Sequence, residues 1–405
     1  MTDEENELLT RVENGAPMGR MLRQLYWIPA VLSSRVEAGG APVRVKLFGD
    51  RFVAWRAHDG RIGFTNEACP HRGVSLALAR NEDNALRCVF HGWKFSVAGE
   101  VLECPNEAAN PEGFRKTVPF RNYAAREGAG LVWVYLGEGE APPPPNFEWM
   151  DLPADQAYSC GLELKSNWLQ GVEATIDSSH IAVLHQSHLS QSKTQMAATT
   201  ANTAVRYKFE DTSYGYRAAA LRDVPGGDCL ARVTEFVMPY YGLIPPIWGK
   251  DEDRAVIIAV PVDDDHLIQW YTYYNTHGPV DSMKRTLRAN TWPMAGGIVD
   301  DPDKAWGQNR MLMRNGNHTG FNDIVVEDFV MQVSMGTIVD RSAEYLCSAD
   351  AAIVRLRRNL LKAVRGYMQG DLPASASPEG RDCANVRATG GMLPAGSDDW
   401  RNLAR

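Results

Sequence analysis

Two short segments of this chain each combine a cysteine with a histidine, and no other sequence feature restricts its folding as strongly. The first is Cys69-Pro70-His71, and the second, after sixteen further residues, is Cys88-Val89-Phe90-His91. Thiolate and imidazole are side chains that bind transition metals. The fold must therefore bring two loops together so that their four ligands can share one metal centre.

The order of the ligands distinguishes between kinds of metal centre. A Rieske [2Fe-2S] cluster takes two thiolates on one iron and two imidazoles on the other, and each segment supplies one ligand of each kind. Structural zinc sites usually pair like ligands within a segment, so zinc is a weaker alternative, and four unrelated core residues are weaker still. Gly73 and Gly92 would let backbone N–H groups approach the cluster sulfurs, and Trp93 would shield the cluster. The pattern predicts an electron-transfer site.

A second group of ionisable residues has the pattern E-x3-D-x2-H-x4-H, from Glu173 through Asp177 and His180 to His185. The surrounding segment, 167–188, is predicted to be helical, which places the first three residues on one face. On a straight helix His185 would point about 140° away from His180. Both imidazoles can then meet one metal only where the helix bends, ends or carries a π-type turn. By itself this pattern favours ordinary core or surface histidines.

The hydrophobic pattern divides the chain into a β-rich part and an α+β part. Residues 43–136 form short predicted strands separated by Gly, Asn and Asp, which indicates an all-β domain. The run of four prolines at 142–145 can continue neither a helix nor a central strand, so we place a linker there. The predicted domains are 1–140 and 141–370, followed by a C-terminal tail, 371–405.

The second predicted domain mixes helices with the strands of one sheet. An amphipathic helix at 351–368 ends before Gly370, and the residues that follow are rich in Pro, Ser, Gly and Ala, as in a loose tail. The predicted strands, which are rich in apolar and β-branched residues, are 205–210, 232–237, 255–262 and 267–274.

Composition limits the class of protein. Hydrophobic residues make up 44% and charged residues 23%, which is typical of folded globular domains. The net charge of −8 without a basic run argues against nucleic acid as a partner, and no apolar run approaches the ~20 residues of a membrane helix. Seven cysteines without framework spacing are typical of a reducing compartment, and the first residues lack the features of a secretory signal. We therefore expect a cytoplasmic protein with no membrane partner.

Taken together, the two segments resemble the Rieske non-haem iron oxygenases, in particular the oxygenase component of the phthalate dioxygenase and aryl-ether O-demethylase branch. The resemblance extends from about Leu22 to about Val364. It implies that the ligands of a [2Fe-2S] cluster are Cys69, His71, Cys88 and His91. It also implies a mononuclear non-haem Fe(II) with open positions for O2, whose ligands are His180, His185 and Asp328.

Further roles follow from the same resemblance. Asp328 is chosen as the third iron ligand because the block 325–336 matches the family. Glu327 is the competing carboxylate. The alternative interpretation of Glu327 is a residue on a solvated helix face. Asp177 matches the residue that bridges the two metal sites without binding either metal. To orient a carboxylated substrate the resemblance implies an arginine, and Arg206 lies in the corresponding strand. Arg232 is the second candidate, and a surface salt bridge is an equally good interpretation of either arginine.

The resemblance implies an α+β fold. An N-terminal Rieske β-domain is joined to a catalytic domain in which an antiparallel sheet wraps over a long helix, the helix-grip or START-like arrangement. It also implies a head-to-tail homotrimer, alone or as stacked trimers, in which the cluster of one subunit serves the iron of its neighbour. Electrons would come from NAD(P)H through a separate flavin and iron–sulfur reductase or a ferredoxin. No G-x-G-x-x-G fingerprint follows a predicted strand, so we do not expect the chain to bind the nicotinamide itself.

The implied activity is terminal oxygenation of an aromatic acid, with ring dihydroxylation as the main prediction. The alternative is an O-demethylase or angular oxygenase acting on a methoxylated or aryl-ether acid, such as a lignin-derived biaryl. Two further alternatives are a Rieske electron carrier fused to a ligand-binding domain and a zinc-stabilised regulatory protein. The other histidines are predicted to be ordinary polar residues and the other cysteines buried apolar ones, namely His58, His188, His266, His277, His318, Cys104, Cys160, Cys229, Cys347 and Cys383.

Overall fold

The computed structural model describes residues 1–190, 195–246, 253–281 and 301–403. The chain divides into two compact units, a first unit of Leu22–Pro144 and a second unit that joins Met1–Met21 to Pro145–Arg405. The boundary between Pro144 and Pro145 lies within the proline run, four residues after the expected end of the first domain. The first 21 residues, expected in the β-rich domain, group with the second unit.

The first unit is built from short antiparallel strands in three sheets. The strands are β1 (Ile28–Leu32), β2 (Val43–Leu47), β3 (Asp50–Arg56), β4 (Ile62–Asn66), β5 (Arg80–Glu82), β6 (Ala85–Arg87), β7 (Lys94–Ser96), β8 (Val101–Glu103), β9 (Ala124–Gly128) and β10 (Leu131–Tyr135). The sheet orders are β1-β10-β9, β2-β3-β4 and β5-β6-β7-β8. Helix α1 (Asp3–Thr10) belongs to the second unit, α2 (Pro17–Leu25) spans the boundary, and α3 (Pro111–Thr117) lies in the first unit.

The hydrophobic core of the first unit fixes the two loops that contain the Cys/His segments. Trp55, Leu86 and Phe95 are almost completely buried and pack in one cluster with Cys69 and Cys88. The first loop follows β4, and the second connects β6 to β7. Because strand ends in a packed core have little freedom, both cysteines are held in place before any metal binds.

One antiparallel sheet forms most of the second unit. Its strands are β11 (Ala157–Leu164), β12 (Arg206–Asp211), β13 (Gly215–Asp223), β14 (Cys229–Val237), β15 (Tyr241–Ile244), β16 (Arg254–Pro261), β17 (Leu267–Tyr274) and β18 (Thr389–Leu393). The order is β11-β17-β16-β15-β14-β13-β12, and β18 pairs with β14. The four strands predicted from sequence are β12, β14, β16 and β17, with ends shifted by at most three residues.

The second unit also contains several helices after β11. They are α4 (Trp168–Ile176), α5 (Ile181–Leu184), α6 (Gln186–Leu189), α7 (Arg310–Arg314), α8 (Ile324–Ser334), α9 (Ala351–Gln369) and α10 (Pro378–Arg381). Helix α4 packs on β15, β16 and β17 and also contacts α8 and α9, so almost all of its side chains are buried. The long helix α9 ends at Gly370 (φ +92°), as predicted. The α+β prediction, with helices over an antiparallel sheet, is confirmed.

The residues after 370 are not the loose tail that their composition suggested. Strand β18 pairs with residues Cys229–Val233 of β14, and Trp400 is completely buried against the same strands. The glycines of β18 lower its strand propensity, but its backbone hydrogen bonds and the buried Trp400 side chain offset this. Among the described residues, no helix combines the length and the apolar character needed to cross a membrane.

Candidate metal centres and the cavity beside one of them

The two Cys/His loops of the first unit have the same backbone structure. In each loop the cysteine N–H donates to the carbonyl five residues later, and the N–H of the glycine four residues after the cysteine donates to the cysteine carbonyl. These glycines, Gly73 and Gly92, have φ of +76° and +75°, which other residues adopt only with strain. The repeated turn therefore presents one cysteine and one histidine from each loop in equivalent positions.

The four predicted cluster ligands lie close together between the loops. Cys69 and Cys88 are buried, and the thiol pKa of Cys69 is raised to about 11, first by burial and also by the neighbouring Cys88. The ring centroids of His71 and His91 are 4.5 Å apart. Trp93 stacks on His71 with ring centroids 4.6 Å apart, so it shields one side of the group.

These residues fit a two-iron cluster. The Nδ1 atom of His91 is buried without a hydrogen-bond partner among the described residues, a costly arrangement that a metal bond would relieve. Burial lowers the pKa of His71, and the nearby His91 and Arg72 lower it further. A neutral imidazole is the form that binds metal. Two sulfurs and two nitrogens from paired loops are the ligands of a Rieske cluster.

A second set of metal-binding side chains lies in the second unit. His180, His185 and Asp328 each offer one ligand atom, and these atoms all lie within 4.8 Å of one another. Asp328 Oδ1 is 3.1 Å from His185 Nε2 and 3.5 Å from His180 Nε2. Two imidazoles and one carboxylate on one side of a metal are typical of non-haem Fe(II) sites with open coordination positions. The residues present therefore fit the iron that the resemblance implied.

The two histidines meet because the predicted helix 167–188 is interrupted twice. Helix α4 ends before Asp177, whose backbone is extended (φ −69°, ψ 118°), and α5 begins after His180. A second break at His185 (φ −93°, ψ 11°) separates α5 from α6. The Asp177 carboxylate stabilises the first break by accepting a hydrogen bond from the Ser179 N–H at 2.6 Å. Of the options left open by the sequence, the structure shows that the helix ends.

The second nitrogen of each imidazole faces a carboxylate. Asp177 Oδ2 lies 3.2 Å from His180 Nδ1, and Glu327 Oε2 lies 2.6 Å from His185 Nδ1. Because both Nδ1 atoms are used in this way, the Nε2 atoms are left to face Asp328. Glu327, the competing candidate for the third ligand, lies behind His185 instead.

These contacts shift the pKa values of the groups involved. Burial disfavours a charged His185, but the carboxylates of Asp328 and Glu327 outweigh burial and raise the imidazole pKa to about 10. Burial also disfavours a charged Asp177, yet hydrogen bonds from His180 and Ser179 lower its pKa to about 2. In the absence of metal, a protonated imidazole balances the carboxylates, and a bound cation would replace that proton.

Two strand residues, one partly buried and one buried, hold the turn that follows Asp177. The Ser178 N–H donates to Tyr207 Oη at 2.9 Å, and the Arg222 guanidinium donates to the Ser178 carbonyl and hydroxyl. Arg222 is completely buried, and its pKa is lowered by burial, which the charge of Asp177 only partly offsets. Sequence analysis missed both residues, and the only available signal was a polar side chain at an inward position of each strand.

A cavity of about 270 Å³ lies against the three metal-binding residues. Helices α4, α5, α6 and α8 form one side of it, and one face of the sheet forms the other. Among the described lining residues, Arg232 on β14 is the only arginine. Most of the sheet side is apolar or aromatic, with contributions from Ile244, Ala255, Ile257, Tyr271 and Tyr273.

The structure corrects the prediction for Arg206. Its side chain is 62% exposed, pairs with Asp223 at 2.7 Å, and does not line the cavity. The reason is strand alternation, because the next residue of β12, Tyr207, faces the turn at Ser178 and Arg206 therefore faces the opposite side. Arg232, the second candidate, is 5% exposed and does line the cavity.

Arg232 has a second cation beside it. The register places Ala220 opposite Arg232 and Arg222 opposite Leu230, so the two arginines are diagonal neighbours on β13 and β14. The pKa of Arg232 is lowered to about 10, first by burial and then by the Arg222 charge. A bound anion would counter both effects, so the part of the cavity beside Arg232 favours a carboxylate.

Two predictions about other residues need correction. His188 is not an ordinary polar residue, because it lines the cavity and its Nε2 lies 3.4 Å from Glu327 Oε1. Cys347 is exposed, whereas the other four non-ligand cysteines are buried as predicted. His266 does have the expected structural role, with its Nδ1 2.9 Å from Asp263 at a turn.

Comparisons with known proteins show which families the two parts of the chain match. Residues 26–121 match the family model described as Rieske [2Fe-2S] domain, and residues 134–405 match LigXa C-terminal domain like. The chain is 36% identical to the phthalate 4,5-dioxygenase oxygenase subunit of Pseudomonas putida, over 99% of this chain and 94% of the relative. It is 34% identical to the 3-chlorobenzoate-3,4-dioxygenase oxygenase subunit of Comamonas testosteroni, over 98% and 96%. The solved structure of dicamba monooxygenase bound to dicamba shares the fold, with a TM-score of 0.62 at 16% identity over 86% of this chain and 99% of that one.

Proposed function

The chain belongs to the Rieske non-haem iron oxygenases, in the branch of the phthalate dioxygenase and O-demethylase oxygenase subunits, and from this premise we propose that it dihydroxylates the ring of an aromatic acid. The enzyme uses a [2Fe-2S] cluster and a mononuclear iron. We assign the cluster to Cys69, His71, Cys88 and His91. We assign the mononuclear iron to His180, His185 and Asp328.

One observation carries this proposal, namely that a single cavity contains both the metal-binding triad and a buried arginine. An electron carrier with a ligand-binding domain has no need of a 2-His-1-carboxylate group in its pocket, which argues against the non-enzymatic alternative. A buried cation and a metal site in the wall of one cavity suit a flat ring with a carboxylate. The ring carbon to be oxidised would then lie next to the metal site.

When bound, the mononuclear iron activates O2 with electrons that the cluster supplies. The residues of the chain bind and orient the substrate. Arg232 donates hydrogen bonds to the carboxylate and so fixes one end of the ring. The aromatic and aliphatic side chains of β16 and β17 pack on the ring faces and exclude water. Asp177 holds His180 Nδ1, so that the Nε2 atom of that imidazole faces the metal position.

Ring dihydroxylation is preferred over O-demethylation because the two relatives with the higher identity are named as ring dioxygenases of aromatic acids. The product distinguishes the two reactions. A cis-dihydrodiol carries both oxygen atoms on the ring, whereas demethylation of a methoxybenzoate releases formaldehyde.

The electron supply requires a partner protein, as in other members of the family. We propose a reductase or ferredoxin that draws on NAD(P)H, and a homotrimer in which Asp177 connects the iron of one subunit with the cluster of the next. We also propose that the protein works in the cytoplasm, where its free thiols stay reduced.

Metal analysis combined with oxygen uptake tests the proposed function. The purified protein should be red-brown and contain a mononuclear iron in addition to the two irons of the cluster. Cys69→Ser should remove the cluster spectrum and leave the mononuclear iron, because the two sites lie in separate units. With a surrogate reductase, uptake should be coupled to product for at least one acid in a panel of phthalates, chlorobenzoates and methoxybenzoates. A colourless zinc protein, or one without the mononuclear iron, would contradict the assignment.

A further inference from the structure

Glu327 is a fully buried carboxylate whose neighbours are unusual. It lies in the first turn of α8, with 0% exposure. His185 Nδ1 is 2.6 Å from its Oε2, and the Thr319 hydroxyl donates to its Oε1 at 2.5 Å. Both oxygens of this buried carboxylate therefore face a neighbouring polar group.

Two other buried glutamates show what a purely structural carboxylate looks like in this fold. Glu173 is paired with Arg341 and Arg357, and Glu235 is bound by Arg217 and Tyr214. Such pairs join the elements that carry them, and an arginine balances the charge. In the described part of the chain, the groups that contact the Glu327 carboxylate include no lysine or arginine. Its charge is directed at an imidazole of the metal site.

We propose that Glu327 is a positioning residue of the mononuclear metal site, which sets the tautomer, the orientation and the donor strength of His185. By accepting the Nδ1–H it leaves the Nε2 lone pair facing Asp328 and the metal position. Its negative charge increases the electron density on the imidazole, so that Nε2 binds a cation more strongly. Thr319 fixes the second oxygen of Glu327, so the carboxylate cannot rotate away from the ring. This inference rests on the proposed assignment of the triad to iron.

Neighbouring carboxylates have different roles because successive helix residues point about 100° apart. Asp328 faces the open side of His185 and Glu327 faces its Nδ1 side. A residue that bound the metal directly and one that only orients a ligand respond differently to an isosteric change. Glutamine keeps an oxygen that accepts the Nδ1–H but removes the charge, whereas leucine removes both.

The test measures metal binding and does not depend on turnover. The full-length protein with its cluster intact is freed of mononuclear iron by a chelator under anaerobic conditions, and Co²⁺ binding is measured by calorimetry. Glu327→Gln should bind Co²⁺ about 10- to 100-fold more weakly than the parent, and Glu327→Leu more weakly again. The matched control is Glu235→Gln, the same change at a buried glutamate away from the cavity, which should stay within about twofold.

A spectroscopic measurement separates positioning from general destabilisation. The visible bands of bound Co²⁺, taken as a difference spectrum, should shift in Glu327→Gln because a weaker imidazole donor lowers the ligand field, and should not shift in Glu235→Gln. Parental Co²⁺ affinity and spectrum in Glu327→Gln would overturn the proposal. His185→Ala provides the reference for the site itself. If that variant binds Co²⁺ like the parent, the proposed iron site is wrong, whereas its loss of binding beside an unaffected Glu327→Gln contradicts only the role of Glu327.

Discussion

At the scale of single residues, Arg232 and Arg206 provide a matched pair because they lie on opposite faces of the same sheet. Arg232 is buried in the cavity, whereas Arg206 is exposed and paired with Asp223. We predict that Arg232→Gln raises KM for a carboxylated substrate about 10- to 100-fold, since a charge-assisted hydrogen bond contributes about 1.5–3 kcal/mol. Arg206→Gln should leave KM within about twofold. Steady-state oxygen uptake gives KM for both variants. A raised KM in Arg206→Gln with an unchanged KM in Arg232→Gln would show that the two arginines were assigned to the wrong faces of the sheet.

Asp328 is the only carboxylate in the triad, and its removal should affect one site alone. We predict that Asp328→Ala remains folded and red-brown, retains the cluster iron and sulfide, and loses the mononuclear iron and all turnover. Iron and sulfide analysis of the purified variant checks the prediction. Retention of the mononuclear iron with measurable product formation would mean that the third ligand is another residue.

The sequence was sufficient for those residues whose role is encoded in short spacing. The C-x-H and C-x2-H segments identified four residues that the structure brings together, and His180 and His185 could be paired from one stretch of chain. Arg206 was placed wrongly because a one-residue shift in a strand reverses the face, and no local pattern fixes that shift. Glu327 could not be separated from Asp328, because the difference between them depends on His185, far away in the sequence.

At the scale of elements, the interruption of the helix between α4 and α6 decides whether a metal site forms. Spacing alone showed that a straight helix could not bring His180 and His185 together, so an interruption was required. Two residues of later strands hold the interruption in place. Tyr207 accepts a hydrogen bond from the Ser178 N–H, and Arg222 donates to the Ser178 carbonyl. These are tertiary contacts, which a local sequence pattern does not reveal. The sequence therefore predicted one uninterrupted helix over 167–188.

Glu173 ties α4 to α9 and provides a stability prediction at the same scale. Helical spacing grouped it with Asp177, but in the structure its carboxylate accepts from Arg341 at 2.8 Å and from Arg357 at 2.7 Å. Removing one partner of a buried ion pair typically costs about 3–5 kcal/mol, so Glu173→Gln should lower the free energy of unfolding by about this amount. The control is Glu7→Gln, which breaks an exposed ion pair with Arg11. This change should alter the free energy of unfolding by less than about 0.5 kcal/mol. Denaturant unfolding compares the two, and equal effects would contradict the prediction.

The same ion pairs predict how stability depends on pH. Burial would raise the pKa of Glu173, but Arg341 and Arg357 outweigh burial and lower it below 4.5. A lowered pKa in the folded state contributes stability that is fully present above the unfolded value and is lost as the pH falls through the folded value. The parent should therefore lose stability on acidification below about pH 4.5, and Glu173→Gln should lack this part of the loss. If the free energy of unfolding of the parent and of Glu173→Gln fell equally with decreasing pH, the prediction would be wrong.

At the scale of the whole molecule, the order and type of the elements could be predicted better than their long-range pairing. The four predicted strands and the long helix α9 are present almost at the predicted limits. The sequence predicted a loose tail after residue 370, because β18 is short and contains glycine. In the structure β18 is stabilised by pairing with β14 and by the burial of Trp400. Such pairing has no local signature, since the partner strand lies far earlier in the chain.

The proposed electron transfer between subunits can be tested through Asp177. Asp177→Asn preserves the size of the side chain and an acceptor for the Ser179 N–H but removes the charge beside His180. We predict that the variant keeps its cluster, its mononuclear iron and the oligomeric state of the parent, while transfer from cluster to iron slows by at least about tenfold. Analytical ultracentrifugation and stopped-flow absorption of the prereduced protein measure the two properties. If Asp177→Asn transferred electrons from cluster to iron at the rate of the parent, Asp177 would have only a structural role in the turn.

In the proposed reaction, electrons from the cluster drive oxidation of an aromatic acid at the site formed by His180, His185 and Asp328. The most direct measurement is a single turnover of the fully reduced protein with ¹⁸O2 and phthalate or 3-chlorobenzoate, in the absence of any reductase. We expect the cluster to be oxidised in step with the formation of a dihydrodiol that carries ¹⁸O in both hydroxyl groups, and we expect no dihydrodiol from Asp328→Ala. Oxidation of the cluster with every acid of the panel recovered unchanged, or an equal yield of product from Asp328→Ala, would contradict it.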